Sequence, residues 1–201
     1  MLTKLKKKVE KTLAIEAKIA LKIGFTPNRV SILGIFFAFL SSMFYSSWKS
    51  DQSYLLFASV ALLLSGFCDS LDGTMARLHG RTTVFGGFLD SVLDRYADGI
   101  VIAGIIIGGL CELFWGLAAL LGSLLVSYVR AKSEANNVMM ESIGVAERAE
   151  RLVIILASGT IAYLWNVNAL INIGMILIAI LANVTVLQRG LHFYKKTKKK
   201  D

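Results

Sequence analysis

Proline, cysteine and charged residues are all scarce in this sequence. Its 201 residues include one proline and two cysteines, and only 18% are charged whereas 55% are hydrophobic. A chain this apolar is not an ordinary soluble domain. Cys68 and Cys111 lie in apolar surroundings, so we expect small core residues and neither a disulfide nor a cysteine-based metal site. The first residues are lysine-rich and amphipathic, and we therefore expect no cleavable signal peptide.

Six apolar segments predict membrane-spanning helices, each close to the roughly 20 residues that one crossing requires. The uncharged run from Leu152 to Gln188 is too long for a single crossing, and the turn formers between Trp165 and Asn168 divide it into two. The segments cover roughly 28–48, 53–77, 83–110, 113–136, 149–165 and 168–190. The predicted fold class is an all-α integral membrane protein with six transmembrane helices plus an N-terminal amphipathic surface helix.

The N-terminal residues 1–22 carry many lysines among Leu, Ile, Val and Ala. This pattern is typical of an amphipathic helix that lies on the membrane surface. Thr26 and Pro27 follow, and threonine can cap a helix whose first residue is proline. We therefore predict two parts, a juxtamembrane helix over 1–22 and a six-helix membrane domain with a basic C-terminal tail over 23–201.

The formal net charge of +8 indicates an anionic partner. The basic residues lie at the ends of the apolar segments and not on one exposed face, which favours lipid headgroups and phosphorylated substrates over nucleic acid. With both termini in the cytoplasm, every Lys and Arg except Lys49 lies at or near the cytoplasmic side. We therefore predict a multi-pass protein of the cell membrane whose termini and active site face the cytoplasm.

Aspartates occur where a membrane-spanning bundle should have none. Ionisable groups at membrane depth are costly and usually mark a functional site. Residues three or four apart share one face of a helix, so two pairs of carboxylates are presented together, as hard divalent cations require. The fifth aspartate lies one turn further on, and we expect it to pair with Arg95 or another basic group in a structural role. The five are Asp69, Asp72, Asp90, Asp94 and Asp98.

The stretch from Asp69 to Asp94 follows the pattern D-x2-D-G-x2-A-R-x8-G-x3-D-x3-D. It is matched by Asp69, Asp72, Gly73, Ala76, Arg77, Gly86, Asp90 and Asp94. This pattern resembles the signature of the CDP-alcohol phosphotransferases, integral membrane enzymes of phospholipid synthesis, and the six-segment layout is similar too. The resemblance implies an enzyme that moves a phosphatidyl-type group from a CDP-linked lipid to a hydroxyl group and releases CMP. It also implies a homodimer.

The resemblance assigns roles to individual residues. It implies that Asp69, Asp72 and Asp90 ligate Mg²⁺ or Mn²⁺, with two ions per site. It implies that Asp94 ligates or adjoins the metal and acts as the general base on the acceptor hydroxyl. Two metal ions can clamp both the attacking and the leaving oxygen of an in-line displacement. The resemblance implies seven residues in CDP-lipid binding, of which Arg81 and Thr82 rest on weaker grounds. They are Asp69, Gly73, Ala76, Arg77, Arg81, Thr82 and Gly86.

A basic cluster follows the fourth segment and continues at the start of the fifth. It resembles the inositol-phosphate branch of the family, the synthases of archaetidylinositol phosphate and phosphatidylinositol phosphate, in a Ser-x-x-basic-x-basic segment and a Glu-Arg-rich segment. The resemblance implies myo-inositol 1-phosphate as the acceptor, whereas CDP-diacylglycerol and CDP-archaeol both remain open as the donor. The residues implied in binding the acceptor phosphate are Ser127, Arg130, Lys132, Arg148, Arg151 and Arg189.

Other functions remain open at this stage. The same chemistry with glycerol 3-phosphate or serine as acceptor is one alternative, although serine has no phosphate and leaves the basic cluster less explained. A membrane cation transporter with aspartate ligands is another. A transporter does not account for Gly73, Ala76, Arg77 and Gly86 at their fixed spacing.

Overall fold

The computed structural model describes residues 13–78, 83–140 and 143–198, and within these ranges the chain forms helices and no strands. A first helix, α1, covers residues 13–22. Six longer helices follow: α2 (Pro27–Ser47), α3 (Ser53–Leu78), α4 (Val84–Ile107), α5 (Leu113–Glu134), α6 (Arg148–Trp165) and α7 (Ala169–Thr197). The prediction of an all-α fold is confirmed for the described residues. The predicted residues Arg81 and Thr82, and residues 1–12 of the juxtamembrane helix, lie outside these ranges.

Side chains and turn residues set the helix boundaries near the functional end of the bundle. Thr26 caps α2, whose first residue is Pro27. Thr83 Oγ1 accepts a hydrogen bond from the Gly86 amide at 2.9 Å and so fixes the start of α4. Asn166 adopts a left-handed conformation with φ of 56° and ends α6, which confirms that the long apolar run divides at this point.

The helices α2 to α7 form a closed ring in which each packs against two neighbours. The order around the ring is α2, α3, α6, α7, α5, α4, and back to α2. Small residues allow close approach: a Cβ on Gly104 of α4 would lie 2.6 Å from the Ser42 carbonyl oxygen of α2. The helices α3 and α4 meet only briefly. Both signature helices pack against α2 instead, so α2 sets their position relative to each other.

Apolar side chains occupy both the interior and the outer surface of the ring. Tyr45, Leu55, Ile105 and Met175 are almost fully buried in one central cluster. Many large apolar side chains point outward instead, among them Phe36, Phe39, Leu63, Leu121 and Leu187. A soluble monomer rarely exposes so continuous an apolar surface, so this outer surface fits a lipid environment. Cys68 is buried and Cys111 partly buried, and both are free thiols.

Within the described ranges, four helices are long and apolar enough to cross a membrane, namely α2, α3, α5 and α7. Each of the other two ring helices carries several charged residues, among them Asp90, Asp94 and Asp98 on α4 and Arg148 and Arg151 on α6. The described chain is thus an all-helical membrane protein, and the count of six crossings remains a prediction. The last helix continues to Thr197, beyond the predicted boundary at 190, because lysines at its end are good helix formers.

The helix α1 packs on the outside of the ring through one face and exposes another. Ala17 is fully buried against Val30 of α2 and Met75 of α3. Ile15, Ile19 and Ile23 are exposed at intervals of four residues, so they form one apolar stripe along the helix. This exposed stripe supports the prediction of a surface helix, although α1 also forms part of the packed structure.

Candidate active site

The signature aspartates lie where the end of α3 faces the beginning of α4. The last turns of α3 present Asp69 and Asp72, and Asp90 projects from the second turn of α4. One carboxylate oxygen from each of these three residues lies within 4.8 Å of the other two. We refer to Asp69, Asp72 and Asp90 as the carboxylate cluster. Three predicted metal ligands, from two helices, are therefore within reach of a single cation.

Asp72 is the most deeply buried member of the carboxylate cluster, with 4% of its surface exposed. Ser31 Oγ, on α2, donates a hydrogen bond to Asp72 Oδ2 at 2.5 Å. A buried carboxylate requires such partners, because burial removes its hydration. Ser31 was not predicted from the sequence. The contact joins residues 41 positions apart in the chain, and no local pattern indicates it.

Arg148, the first residue of α6, reaches in among the aspartates. Its Nη1 lies 2.7 Å from Asp69 Oδ2 and 2.8 Å from Asp94 Oδ1. Its Nε lies 3.1 Å from Asp98 Oδ1. One guanidinium therefore compensates charge on three carboxylates, which would otherwise repel one another. The sequence placed Arg148 with the acceptor-binding residues and gave no indication of these contacts.

Asp98 was expected to pair with Arg95 or another basic group, and its partners are Arg148 and Arg151. Arg95 instead donates to the Ser91 carbonyl oxygen and lies 3.8 Å from Asp94 Oδ2. The reason is geometric. Arg95 and Asp98 are three residues apart on α4, and the Arg95 side chain bonds the preceding turn of its own helix, whereas α6 brings two arginines to Asp98 across the ring.

A large cavity opens beside the carboxylate cluster. It has a volume of about 590 Å³ and lies between the α1–α2 connection and the facing ends of α3 and α4. We call it the signature cavity, because six of the eight residues of the pattern line it, namely Asp72, Gly73, Ala76, Arg77, Gly86 and Asp90. Asp69 lines a smaller adjoining space with Asp94 and Arg148. Most residues predicted to bind a CDP-lipid are thus brought to one cavity.

Two glycines keep the signature cavity open. A Cβ on Gly86 would lie 2.9 Å from Thr83 Oγ1, the atom that caps α4. A Cβ on Gly73 would lie 3.4 Å from Arg77 Nη1. A larger residue at position 86 would therefore press on the capping group, and a side chain at position 73 would contact the guanidinium that faces the cavity. Backbone and ligand can approach each other closely where glycine is present.

A second cavity, of about 160 Å³, lies on the other side of Asp94. Its lining includes Ser127, Arg130, Arg148, Arg151 and Arg189, with Asp94, Asp98 and Glu147. We call it the basic cavity. Five of the six residues predicted to bind the acceptor phosphate line it. The sixth, Lys132, is exposed to solvent near the end of α5 and is not part of the lining.

The arginines of the basic cavity are held firmly by the surrounding protein. Arg189 is 1% exposed, and it donates from Nε to the Ile143 carbonyl oxygen at 2.8 Å and from Nη1 to the Val126 carbonyl oxygen at 2.7 Å. Arg151 is 4% exposed, and its buried Nη1 has no hydrogen-bond partner among the described residues. An orphaned guanidinium N–H group is costly to bury, and an anionic ligand would satisfy it.

Asp94 lies between the two cavities. It lines the small space next to Asp72 and Asp90, and it also lines the basic cavity. An anionic group held in the signature cavity and a second anion held by the arginines would therefore meet beside this carboxylate.

The sequence matches known proteins over most of its length. Residues 25–187 match the family described as CDP-alcohol phosphatidyltransferase. The chain belongs to this family. Among curated CDP-alcohol phosphatidyltransferase relatives, the archaetidylinositol phosphate synthase of Pyrococcus horikoshii is 38% identical over 189 residues, which cover 94% of each chain. The archaetidylinositol phosphate synthase of Methanothermobacter thermautotrophicus is 41% identical over 183 residues, covering 90% of this chain and 89% of the relative.

Solved structures of another family member have the same fold. The phosphatidylinositol phosphate synthase of Mycobacterium tuberculosis with CDP-DAG bound superposes with a TM-score of 0.79 at 27% sequence identity, covering 92% of this chain and 94% of the other. The same enzyme in complex with manganese and citrate gives a TM-score of 0.78 at 28% identity, covering 90% and 88%. The prediction of family membership is confirmed.

The carboxylate cluster fits a hard divalent cation. Its donor atoms are all carboxylate oxygens, which Mg²⁺ and Mn²⁺ prefer, and three of them already converge. The Arg148 guanidinium, bonded to Asp69 and Asp94, indicates that the site is built for compensation by positive charge. The residues present therefore fit the metal that the family resemblance implies.

Proposed function

We propose that this protein transfers the phosphatidyl-type group of a CDP-linked lipid to a hydroxyl group of myo-inositol 1-phosphate and releases CMP. The observation that carries the proposal is the pair of cavities on either side of Asp94, one lined by the signature residues and the other by five arginines. The names of the most similar relatives support an inositol phosphate as the acceptor.

The signature cavity would hold the CDP moiety. Its volume of about 590 Å³ is in the range of small-molecule sites. Gly73, Ala76 and Gly86 leave room for the nucleotide, and Arg77 supplies a planar donor for a phosphate oxygen. Arg81 and Thr82 remain proposed as further phosphate donors. The opening of this cavity beside α1 and the ends of α3 and α4 would let the lipid chains stay in the bilayer.

Asp69, Asp72 and Asp90 would hold the metal, with Asp94 adjoining it, and we infer Mg²⁺ or Mn²⁺ with two ions per site. When bound, the ions neutralise the diphosphate and stabilise the charge that develops on the departing CMP. Ser31 fixes the orientation of Asp72 through its hydrogen bond, so α2 also takes part in shaping the metal site.

Asp94 would act as the general base. As the acceptor oxygen forms its bond to the lipid-linked phosphorus, the phosphorus–oxygen bond to CMP breaks and the hydroxyl proton moves to an Asp94 carboxylate oxygen. A positioned base of this kind contributes typically 10²–10⁴-fold to a rate. Asp94 is suited to this role because it is the signature aspartate that lines both the carboxylate side and the basic cavity.

The basic cavity would bind the phosphate of the acceptor through Arg130, Arg148, Arg151 and Arg189, with Ser127 as a hydroxyl donor. Planar guanidinium groups are well matched to phosphate. The exposed Lys132 remains a proposed contributor at the entrance. Glycerol 3-phosphate also carries a phosphate and is the nearest alternative acceptor, whereas serine would leave four arginines without a ligand.

The apolar outer surface of the ring and the four strongly apolar helices support a location in the cell membrane. From the charge distribution we infer six crossings with the termini and the active site on the cytoplasmic side. The homodimer implied by the family resemblance remains a prediction, and chemical crosslinking in native membranes checks it.

An acceptor screen tests the proposed function. Purified protein with Mg²⁺ and labelled CDP-diacylglycerol or CDP-archaeol is given inositol 1-phosphate, glycerol 3-phosphate, serine or free inositol, and CMP release and the lipid product are measured. We expect inositol 1-phosphate to be used and free inositol to be ineffective, with Asp94→Asn as the inactive control. Equal use of free inositol, or transfer to serine alone, would show that the acceptor is wrongly assigned.

A further inference from the structure

Asp98 lies one helical turn beyond Asp94 on α4 and outside the signature pattern. Its side chain is 12% exposed. Each of its oxygens has a different arginine partner: Oδ1 accepts from Arg148 Nε at 3.1 Å, and Oδ2 accepts from Arg151 Nη2 at 2.8 Å. A single carboxylate thus holds two guanidinium groups that project from the first turn of α6.

Both guanidinium groups face the basic cavity, which Arg148 and Arg151 line together with Asp98 itself. The contacts to Asp98 leave Nη2 of Arg148 and Nη1 of Arg151 without a protein hydrogen bond among the described residues. Arginine has many rotamers, and fixing a long side chain before a ligand arrives reduces the entropy lost on binding. The pairing with Asp98 therefore fixes the orientation of two guanidinium groups before a ligand arrives. Nη2 of Arg148 and Nη1 of Arg151 stay available to bind an anion.

A purely structural role for Asp98 does not account for this arrangement. The helices α4 and α6 are not neighbours in the ring, so the ion pairs cross the interior and do not reinforce a packed helix interface. Buried ion pairs often add little net stability, since the cost of removing the charges from water offsets their attraction. Asp98 is also not one of the three aspartates whose carboxylate oxygens converge within 4.8 Å of one another, so its position does not favour a role as a metal ligand.

We propose that Asp98 is a positioning residue for the acceptor phosphate, acting through Arg148 and Arg151. It does not touch the reacting atoms. It sets the orientation of two guanidinium groups so that the phosphate of the acceptor is held with its hydroxyl beside Asp94. This inference rests on the proposed function, because it requires an acceptor that carries a phosphate.

The test is the kinetic behaviour of Asp98→Asn, which keeps the side-chain volume and removes the charge. With CDP-lipid and inositol 1-phosphate as substrates, we expect the KM for inositol 1-phosphate to rise about tenfold or more, the effect of weakening one or two charge-assisted bonds. The KM for the CDP-lipid and kcat should stay within about threefold of wild type. Asp98→Glu keeps the charge, so its KM for inositol 1-phosphate should lie between the values of the wild type and of Asp98→Asn.

A double-mutant cycle shows whether Asp98 acts through the arginines. In an Arg151→Met background, the further change Asp98→Asn should raise the acceptor KM less than it does in the wild type, because one of the two partners of Asp98 is already lost. Ser41→Ala is the control for general loss of stability. Ser41 donates a buried hydrogen bond to the Ala58 carbonyl oxygen between α2 and α3, away from both cavities, and its removal should leave the acceptor KM unchanged.

Three kinetic results would overturn the proposal. They are an unchanged acceptor KM in Asp98→Asn, equal increases of both substrate KM values, and full additivity of Asp98→Asn and Arg151→Met in the double-mutant cycle. Mn²⁺ titration by calorimetry adds an independent readout. If Asp98→Asn loses as much Mn²⁺ affinity as Asp69→Asn, then Asp98 is a metal ligand and the positioning role is wrong. Should Asp98→Asn fail to fold, Asp98→Glu decides: it keeps the charge but its longer side chain shifts both guanidinium groups, so an acceptor KM equal to that of the wild type would overturn the proposal.

The outcome also separates this inference from the proposed function. If the wild-type protein uses only acceptors without a phosphate, the proposed function fails, and the role of Asp98 fails with it. If the wild type uses inositol 1-phosphate and Asp98→Asn keeps its acceptor KM, the function stands and the positioning role alone is wrong.

Discussion

Replacing Arg148 by methionine should change metal binding and acceptor binding in opposite directions. Its Nη1 lies 2.7 Å from Asp69 Oδ2 and 2.8 Å from Asp94 Oδ1, so a cation entering the carboxylate cluster competes with this guanidinium for the charge of Asp69 and of the adjoining Asp94. The side chain also lines the basic cavity. Methionine keeps most of the length and removes the charge. Mn²⁺ should therefore bind more tightly to Arg148→Met, while inositol 1-phosphate should bind more weakly.

The size of the effect follows from the two contacts. A charge-assisted hydrogen bond contributes roughly 1.5–3 kcal/mol. Asp69 and Asp94 are both partly exposed, and water screens such interactions. We therefore expect the loss of both contacts to change the free energy of Mn²⁺ binding by about the value of one charge-assisted bond. Since about 1.4 kcal/mol corresponds to a factor of ten, the Mn²⁺ affinity should rise about tenfold to a hundredfold. The acceptor KM should rise about tenfold or more for the same reason.

Isothermal titration with Mn²⁺ in the absence of substrates measures the first effect, and steady-state kinetics at saturating metal measures the second. Arg130→Met is the matched control. Arg130 lines the same cavity, but its partner is Glu134, at 2.9 Å, and not an aspartate of the signature. It should raise the acceptor KM and leave the Mn²⁺ affinity close to wild type. An Mn²⁺ affinity that is unchanged or weaker in Arg148→Met would refute the competition.

Three further changes test the remaining parts of the site. Asp72→Asn should abolish turnover and lower the Mn²⁺ affinity at least about tenfold in the same titration, and full activity in excess chelator would exclude a metal from the reaction. Asp94→Asn should bind CDP-lipid normally but slow single turnover by about 10²-fold or more, whereas a wild-type rate would exclude it as the base. Gly86→Ala introduces a methyl group 2.9 Å from Thr83 Oγ1 and should weaken CDP-lipid binding in an equilibrium assay, unlike Gly190→Ala, where nothing lies within 4 Å.

The helices were largely predictable from the sequence because their signals are local. Apolar segments, the Thr26–Pro27 start and the turn at Asn166 agree with the observed boundaries within a few residues, except at the end of α7. The end of α4 was placed too late, at 110. The apolar composition continues through Leu110, so hydropathy alone predicts helix to that point. The helix instead ends before Gly108 and Gly109, and Gly109 has a φ of 67°.

Contacts between distant parts of the chain were not predictable in the same way. The signature told us that Asp69 and Asp90 share a site, because a known pattern links them. Nothing comparable links Ser31 to Asp72, or Arg148 to Asp69, since these pairs join different helices across the ring. Their positions follow from the order in which α2, α3, α4 and α6 pack together. The periodicity of residues within one helix carries no information about that order.

The ring order of the helices has a consequence for the biogenesis of the protein. Asp98 precedes Arg148 by 50 residues, so at about 5–20 residues per second the ribosome makes the aspartates roughly 3–10 seconds before their guanidinium partner. During that interval α2, α3 and α4 can already pack together, yet the ring cannot close between α3 and α6. Until α6 is made, the acidic end of the nascent bundle has only Arg95, which lies 3.8 Å from Asp94, together with protons, water and solvent cations to compensate its charge. Arrival of α6 brings Arg148 to that end, and α7, which packs between α6 and α5, then closes the ring.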